Sequence, residues 1–134
     1  MISLLLSAVL YQNIMITEVQ IKGETTNQSH IEIFNPNSYD LDLSGYRLRK
    51  RSSTGKEHSI RVFPKGVVIK ARDYLLWANS RDDYHLKVNA DLSSSATISN
   101  NNSIALFTPE GEVVDSVAWG QGTDQFVMGS PVNF

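Results

Sequence analysis

Apolar residues recur along the chain in short runs, mostly at every second position, with turn-forming residues between the runs. Alternation of that kind marks half-buried strands, whose side chains point to opposite faces in turn. In residues 14–21, Ile14 and Ile16 share one face while Val19 and Ile21 fall on the other. A change of apolar face within one strand predicts a bulge, and bulges favour sheet edges. After a polar turn, His30-Ile31-Glu32-Ile33-Phe34 alternates, with Ile31 and Ile33 on the core side. Asn35-Pro36-Asn37-Ser38 then ends the strand, because proline removes a ladder donor and asparagine tolerates turn dihedrals. Leu41-Asp42-Leu43-Ser44-Gly45-Tyr46-Arg47-Leu48 is a further apolar-polar run, with a bend expected at Gly45. Residues 59–63 form another strand, with Ile60 and Val62 expected on one face. Val67-Val68-Ile69 is short and β-branched. Tyr74-Leu75-Leu76-Trp77-Ala78 is nearly all apolar, as a central strand covered on both sides is. Residues 80–95 read as a long loop with a helical turn. Residues 103–107 and 113–119 form a hairpin around Pro109-Glu110-Gly111-Glu112.

No window carries a sustained helical stripe with caps, so helix is a minor component. Roughly seven to nine short strands at hairpin spacing predict an all-β, immunoglobulin-like antiparallel β-sandwich. The expected organisation is an apolar N-terminal segment (1–13), a sandwich domain (14–122) and a C-terminal tail (123–134). The apolar run over residues 2–11 falls well short of the roughly 20 residues that a membrane-spanning helix needs. Its length suits the hydrophobic part of a signal peptide, although no Lys or Arg precedes it and no small-x-small site follows it. A strand or helix packed on the domain is the other reading. Export is the expectation.

Composition narrows the function classes. Twelve basic against fourteen acidic residues give a net charge of −2, unlike the strongly basic footprint of a dedicated nucleic-acid binder. With no cysteine, disulfides, thiolate metal sites and cysteine nucleophiles are excluded.

The order of motifs resembles the lamin tail domain family, in its prokaryotic form. The resemblance is carried by Ile16-Thr17-Glu18-Val19, then by His30-Ile31-Glu32-Ile33-Phe34-Asn35-Pro36 and the Leu41-to-Leu48 run. Phe63-Pro64, Ile69 and Tyr74-Leu75-Leu76 follow, and Ile104-Ala105-Leu106-Phe107, Gly111 and Val113-Val114-Asp115-Ser116-Val117-Ala118-Trp119-Gly120 close it. It implies an immunoglobulin-like sandwich that is not an enzyme and needs no cofactor. It also implies a binding, adhesion or structural module of an exported or cell-surface protein, with a protein or surface polymer as partner. A nuclear location is not expected, because no coiled-coil rod, prenylation motif or nuclear-import run accompanies the domain. The motif residues Glu18, Asn35, Pro36, Asp42, Ser44, Gly45 and Asp115 are expected to act structurally. Asn35-Pro36 sets a turn, Asp42 and Ser44 bond nearby backbone, and Asp115 points inward or caps a backbone donor.

Candidate chemistry is sparse. His30, His58 and His85 lack a nucleophile-elbow context, and no phosphate-cradling glycine spacing occurs. Asp82-Asp83-Tyr84-His85 gathers metal-type donors without the calcium-loop pattern, so a polar loop and no metal are expected. The basic run Arg47, Arg49, Lys50 and Arg51 is the one candidate anion or polymer site, for nucleic acid or acidic polysaccharide. The same charges also suit an edge strand defended against aggregation. Tyr39, Tyr84 and Phe126 are loop aromatics that suit a protein-contact patch.

Overall fold

The computed structural model describes residues 13–126, so the apolar run at the N-terminus and the end of the tail lie outside the described residues. Ten strands follow in chain order: β1 Met15–Gln20, β2 His30–Phe34, β3 Leu41–Asp42, β4 Arg47–Arg51, β5 Glu57–Val62, β6 Val68–Ile69, β7 Tyr74–Asn79, β8 Leu92–Ser94, β9 Asn102–Phe107 and β10 Val113–Trp119. A 3₁₀ turn Arg81–Asp83 and a one-turn helix α1 Tyr84–Lys87 lie between β7 and β8.

The strands make two four-stranded sheets, β1-β2-β7-β8 and β10-β9-β4-β5, with β3 and β6 as a separate two-stranded ribbon. Every pairing is antiparallel except β7 with β8. The core lies between the two sheets. Trp77, Ile31 and Ile33 from the first and Leu48, Ile104, Leu106 and Trp119 from the second are almost wholly buried there. This is the immunoglobulin-like sandwich that the alternating pattern predicts. The bulge expected in the first strand is present, as a register shift between Ile16 and Glu18, and β1 is an edge strand. β7 is a central strand, between β2 and β8.

Three local expectations need correction. Val62 does not share the core face with Ile60: it is 50% exposed and Ile60 is buried. A bulge at Ile60, between the Leu48–Arg61 and Arg49–Ser59 pairs, turns Val62 to the face of its partner Arg47, and Phe63, whose N–H donates to the Tyr46 carbonyl at 2.8 Å, takes the core position instead. The 80–95 stretch is more than a loop with a helical turn, since Leu92–Ser94 adds a parallel strand to the first sheet. The third correction concerns β4, which carries the basic run and is not an edge strand: it lies between β9 and β5. The start of the tail packs on the sandwich as far as Phe126. Thr123 N–H donates to the Ser53 carbonyl, Phe126 N–H to the Ser103 hydroxyl, and the Phe126 ring is buried. Gly122 makes this close approach feasible, because a Cβ there would sit 3.0 Å from three Asn102 atoms.

Each edge of the sandwich is stitched to the facing sheet by one polar side chain. On one side the Asp115 carboxylate of β10 accepts the Ile16 N–H of β1 at 2.8 Å. On the other, the Ser94 hydroxyl of β8 donates to the Ile60 carbonyl of β5 at 2.6 Å. That hydroxyl also accepts the indole N–H of the buried Trp77 at 3.0 Å. Such caps occupy edge groups that would otherwise be open to strand addition.

Candidate functional site

The four basic residues all lie on β4, but alternation divides them. Arg47, Arg49 and Arg51 point to the outer face of the second sheet, and Lys50 shares the inner side with buried Leu48. Arg49 Nε meets Glu57 Oε2 at 2.6 Å and Arg51 meets Glu57 Oε1 at 3.3 Å. Arg51 also pairs with Asp124 at 3.3 Å and stacks over the Phe126 ring at 3.9 Å. Arg47 donates to the Pro109 carbonyl at 2.7 Å. Lys50 Nζ donates to the Thr97 carbonyl. Partial burial pushes the Glu57 carboxyl up, but hydrogen bonds and charge from Arg49 and Arg51 outweigh it, holding the group below its ordinary value of 4.5. Every cation of the run thus has an intramolecular partner, and two of the arginines share a carboxylate.

The three histidines stay apart. His30 on β2 lies between Glu18 and Tyr84, with Nε2 at 2.6 Å from Glu18 Oε1 and Nδ1 at 2.9 Å from the Tyr84 hydroxyl. The Gln20 amide donates to the same hydroxyl at 3.2 Å. With the imidazole neutral, one direction of donation satisfies all four groups: Gln20 to Tyr84, Tyr84 to Nδ1, and Nε2–H to Glu18. Burial pushes the Tyr84 hydroxyl up, so it stays protonated and able to donate. This network clamps α1 over one end of the first sheet's outer face. Tyr84 is buried in it and Phe126 is buried against Phe107 and Arg51, so the loop aromatics do not form a contact patch with Tyr39. In the acidic loop, Asp82 accepts the Asn27 amide at 2.9 Å. Among the described residues no three His, Asp or Glu side chains gather as metal ligands would.

The other end of that outer face is open. Met15, Phe34 and Tyr74 stand in register on three adjacent strands. Opposite residues in register project from the same face. Phe34 and Tyr74 rings lie 4.7 Å apart between centroids, and Met15 and Tyr74 are 42% and 53% exposed. Sequence reading missed this row. Phe34 stands on the polar face of an alternating strand, and that misplaced aromatic was the available signal.

Residues 10–121 match the family model described as Lamin Tail Domain. The chain belongs to the lamin tail domain family. No curated protein matches it.

The motif residues of this lamin tail domain are occupied with holding backbone. Asn35, fully buried, ends β2 and reaches the β3–β6 ribbon. Its amide nitrogen donates to the carbonyls of Tyr39, Ile69 and Lys70, and its oxygen accepts from Asn37 N–H at 3.0 Å. Pro36, also buried, follows it into the turn. Asp42 accepts Ser44 N–H at 2.9 Å and the Ser44 hydroxyl at 2.5 Å, and these bonds hold its carboxyl below the ordinary range. Gly66 N–H donates to the Ser44 hydroxyl in turn, at 2.8 Å, which fastens the neighbouring turn. Gly45, at φ 76°, makes the bend before β4, against Pro109. Glu18 is the exposed carboxylate that His30 meets. Asp115 is the stitch between the sheets. Among the described residues no helix is long and apolar enough to cross a membrane.

Proposed function

We propose that this lamin tail domain is a non-catalytic binding module that docks a partner protein through the open end of its first sheet, outside the cytoplasm. The row of Met15, Phe34 and Tyr74 carries the reading. A partly exposed aromatic pair flanked by a methionine across three adjacent strands has the composition of an interface core. The apolar run over residues 2–11, with the length of a signal-peptide core, supports the location. The side chains also speak against an enzyme. Glu18, His30 and Tyr84 follow a triad's order, but the buried Tyr84 hydroxyl already has two partners. The competing reading, an accessory domain that grips nucleic acid or acidic polysaccharide with β4, needs Arg49 and Arg51 to exchange Glu57 for the polymer.

The test compares the immobilised domain with two double variants, Met15→Asp/Tyr74→Asp and Arg49→Glu/Arg51→Glu. The expected result is a protein from the source organism that binds the purified wild type directly and the arginine variant alike, and leaves the Met15/Tyr74 variant. Equal binding to that variant would overturn the proposal. Binding of duplex DNA or acidic polysaccharide that falls with salt and with the arginine reversals would put the competing reading in its place.

A further inference from the structure

At the opposite end of the sandwich from the aromatic row, three loops converge on a cleft of about 410 Å³. They are the β1–β2 turn, the β4–β5 loop and the segment between β8 and β9. Loop clusters at the end of a sandwich are where such folds place their ligands. Lys50 and His58, direct neighbours across the β4–β5 ladder, stand on one side. Ser52, Thr97 and Ser99 add hydroxyls, Ile98 gives an apolar floor, and Thr26 stands at the mouth.

The charge is one-sided. The lining holds an ammonium and an imidazole and no carboxylate. Glu57 lies beside His58 in sequence but projects to the opposite face, where Arg49 and Arg51 hold it. Lys50 donates to the Thr97 carbonyl, which leaves two of its three N–H groups to place. Burial depresses its basicity, as it does for an ammonium taken from water without a counter-charge. His58 has no hydrogen-bond partner among the described residues. The volume falls within the range of small-molecule sites, roughly 300–1,000 Å³, and is far more than a bare inorganic anion fills.

We propose that this cleft binds a small hydroxylated anion, a sugar bearing one carboxylate or phosphate group, with Lys50 holding the charge and the Ser and Thr side chains the hydroxyls. The two unused Lys50 donors meet the anionic group. His58 supplies a further ring nitrogen. Ile98 packs under the C–H face of the ring. The site shares no residue with the aromatic row, so it stands or falls independently of protein docking.

The test is titration of the ¹⁵N-labelled chain with glucuronate, glucose 6-phosphate, glucose and inorganic phosphate. Concentrations up to about 10 mM would nearly saturate a site with a Kd near 1 mM. The expected result is saturable movement of the amides of Ser52, His58, Thr97 and Ser99 with one or both charged sugars, and much weaker response to glucose and to phosphate. Which charged sugar binds tells carboxylate from phosphate. Lys50→Met should weaken binding about tenfold or more, as loss of a charge-assisted contact does. His58→Ala, on an exposed and unbonded side chain, should weaken it less and leave the unfolding midpoint unchanged. Arg49→Gln, on the other face, should bind as wild type does. Absence of any response to both charged sugars would overturn the proposal. So would unchanged affinity in both Lys50→Met and His58→Ala, or inorganic phosphate binding as tightly as the sugars.

Discussion

Asn35 shows how much one amide can hold. Its nitrogen faces three carbonyls and its oxygen faces two Asn37 donors, with no water-accessible surface. Asn35→Asp keeps the shape and inverts the chemistry, turning a carboxylate oxygen toward those carbonyls. Chemical denaturation at neutral pH should show a loss of about 3 kcal/mol or more. The carboxyl of that variant is disfavoured as an anion, so its folded pKa rises above the unfolded one. The penalty is therefore full above the folded value, shrinks as pH falls from the folded value to the unfolded one, and is least below that. A loss that grew in acid would contradict the hydrogen-bond assignment. At this scale the sequence was informative where a residue acts on its neighbours. Asp42 and Ser44 bond across a single leucine, and Asn35-Pro36 stops a strand. It was silent on His30 with Tyr84 and on Lys50 with Thr97, whose partners are brought together only by the sheets.

Among the elements, β8 was the hardest to read and is the most consequential. Leu92–Ser94 has one apolar residue and pairs in parallel, so neither alternation nor a hairpin turn announces it. Its Ser94 hydroxyl satisfies the Trp77 indole and the Ile60 carbonyl together. Ser94→Ala should cost about 1–3 kcal/mol, because a buried indole N–H loses its acceptor. Tryptophan fluorescence during urea unfolding measures this, and a midpoint equal to wild type would show that the stitch carries no stability. By contrast β2 was legible residue by residue, since Ile31 and Ile33 alternate with His30, Glu32 and Phe34 between firm turn signals. The edge position and bulge of β1 were legible too, through the switch of apolar face between Ile16 and Val19. The fate of Val62 was not, because a bulge at Ile60 reverses its face and hands the core position to Phe63.

For the whole molecule, charge pairing sets the acid limit of the second sheet. Glu57 titrates below its ordinary value of 4.5, so its stabilising share is complete above the unfolded pKa and is lost as pH falls through the lower, folded one. Thermal unfolding from pH 6 to pH 3 should therefore show a falling midpoint in the wild type and a shallower fall in Glu57→Gln. Equal slopes would mean that the Arg49 and Arg51 pairs contribute nothing, as many exposed ion pairs do. The order of strands has one more consequence. The inner pair of the second sheet, β4 with β9, joins residues that the chain separates by all of β5 to β8. The first sheet likewise waits for β7 to return to β2. The hairpins β1–β2, β4–β5 and β9–β10 need no long loop, but joining them into sheets waits for those loops to close, which makes the route to the native state slow. Folding on the order of milliseconds to seconds follows, as for other sandwiches of high contact order. During synthesis, β4 pairs first with β5, and its other side waits for β9; its charged outer face keeps that half-paired strand in solution.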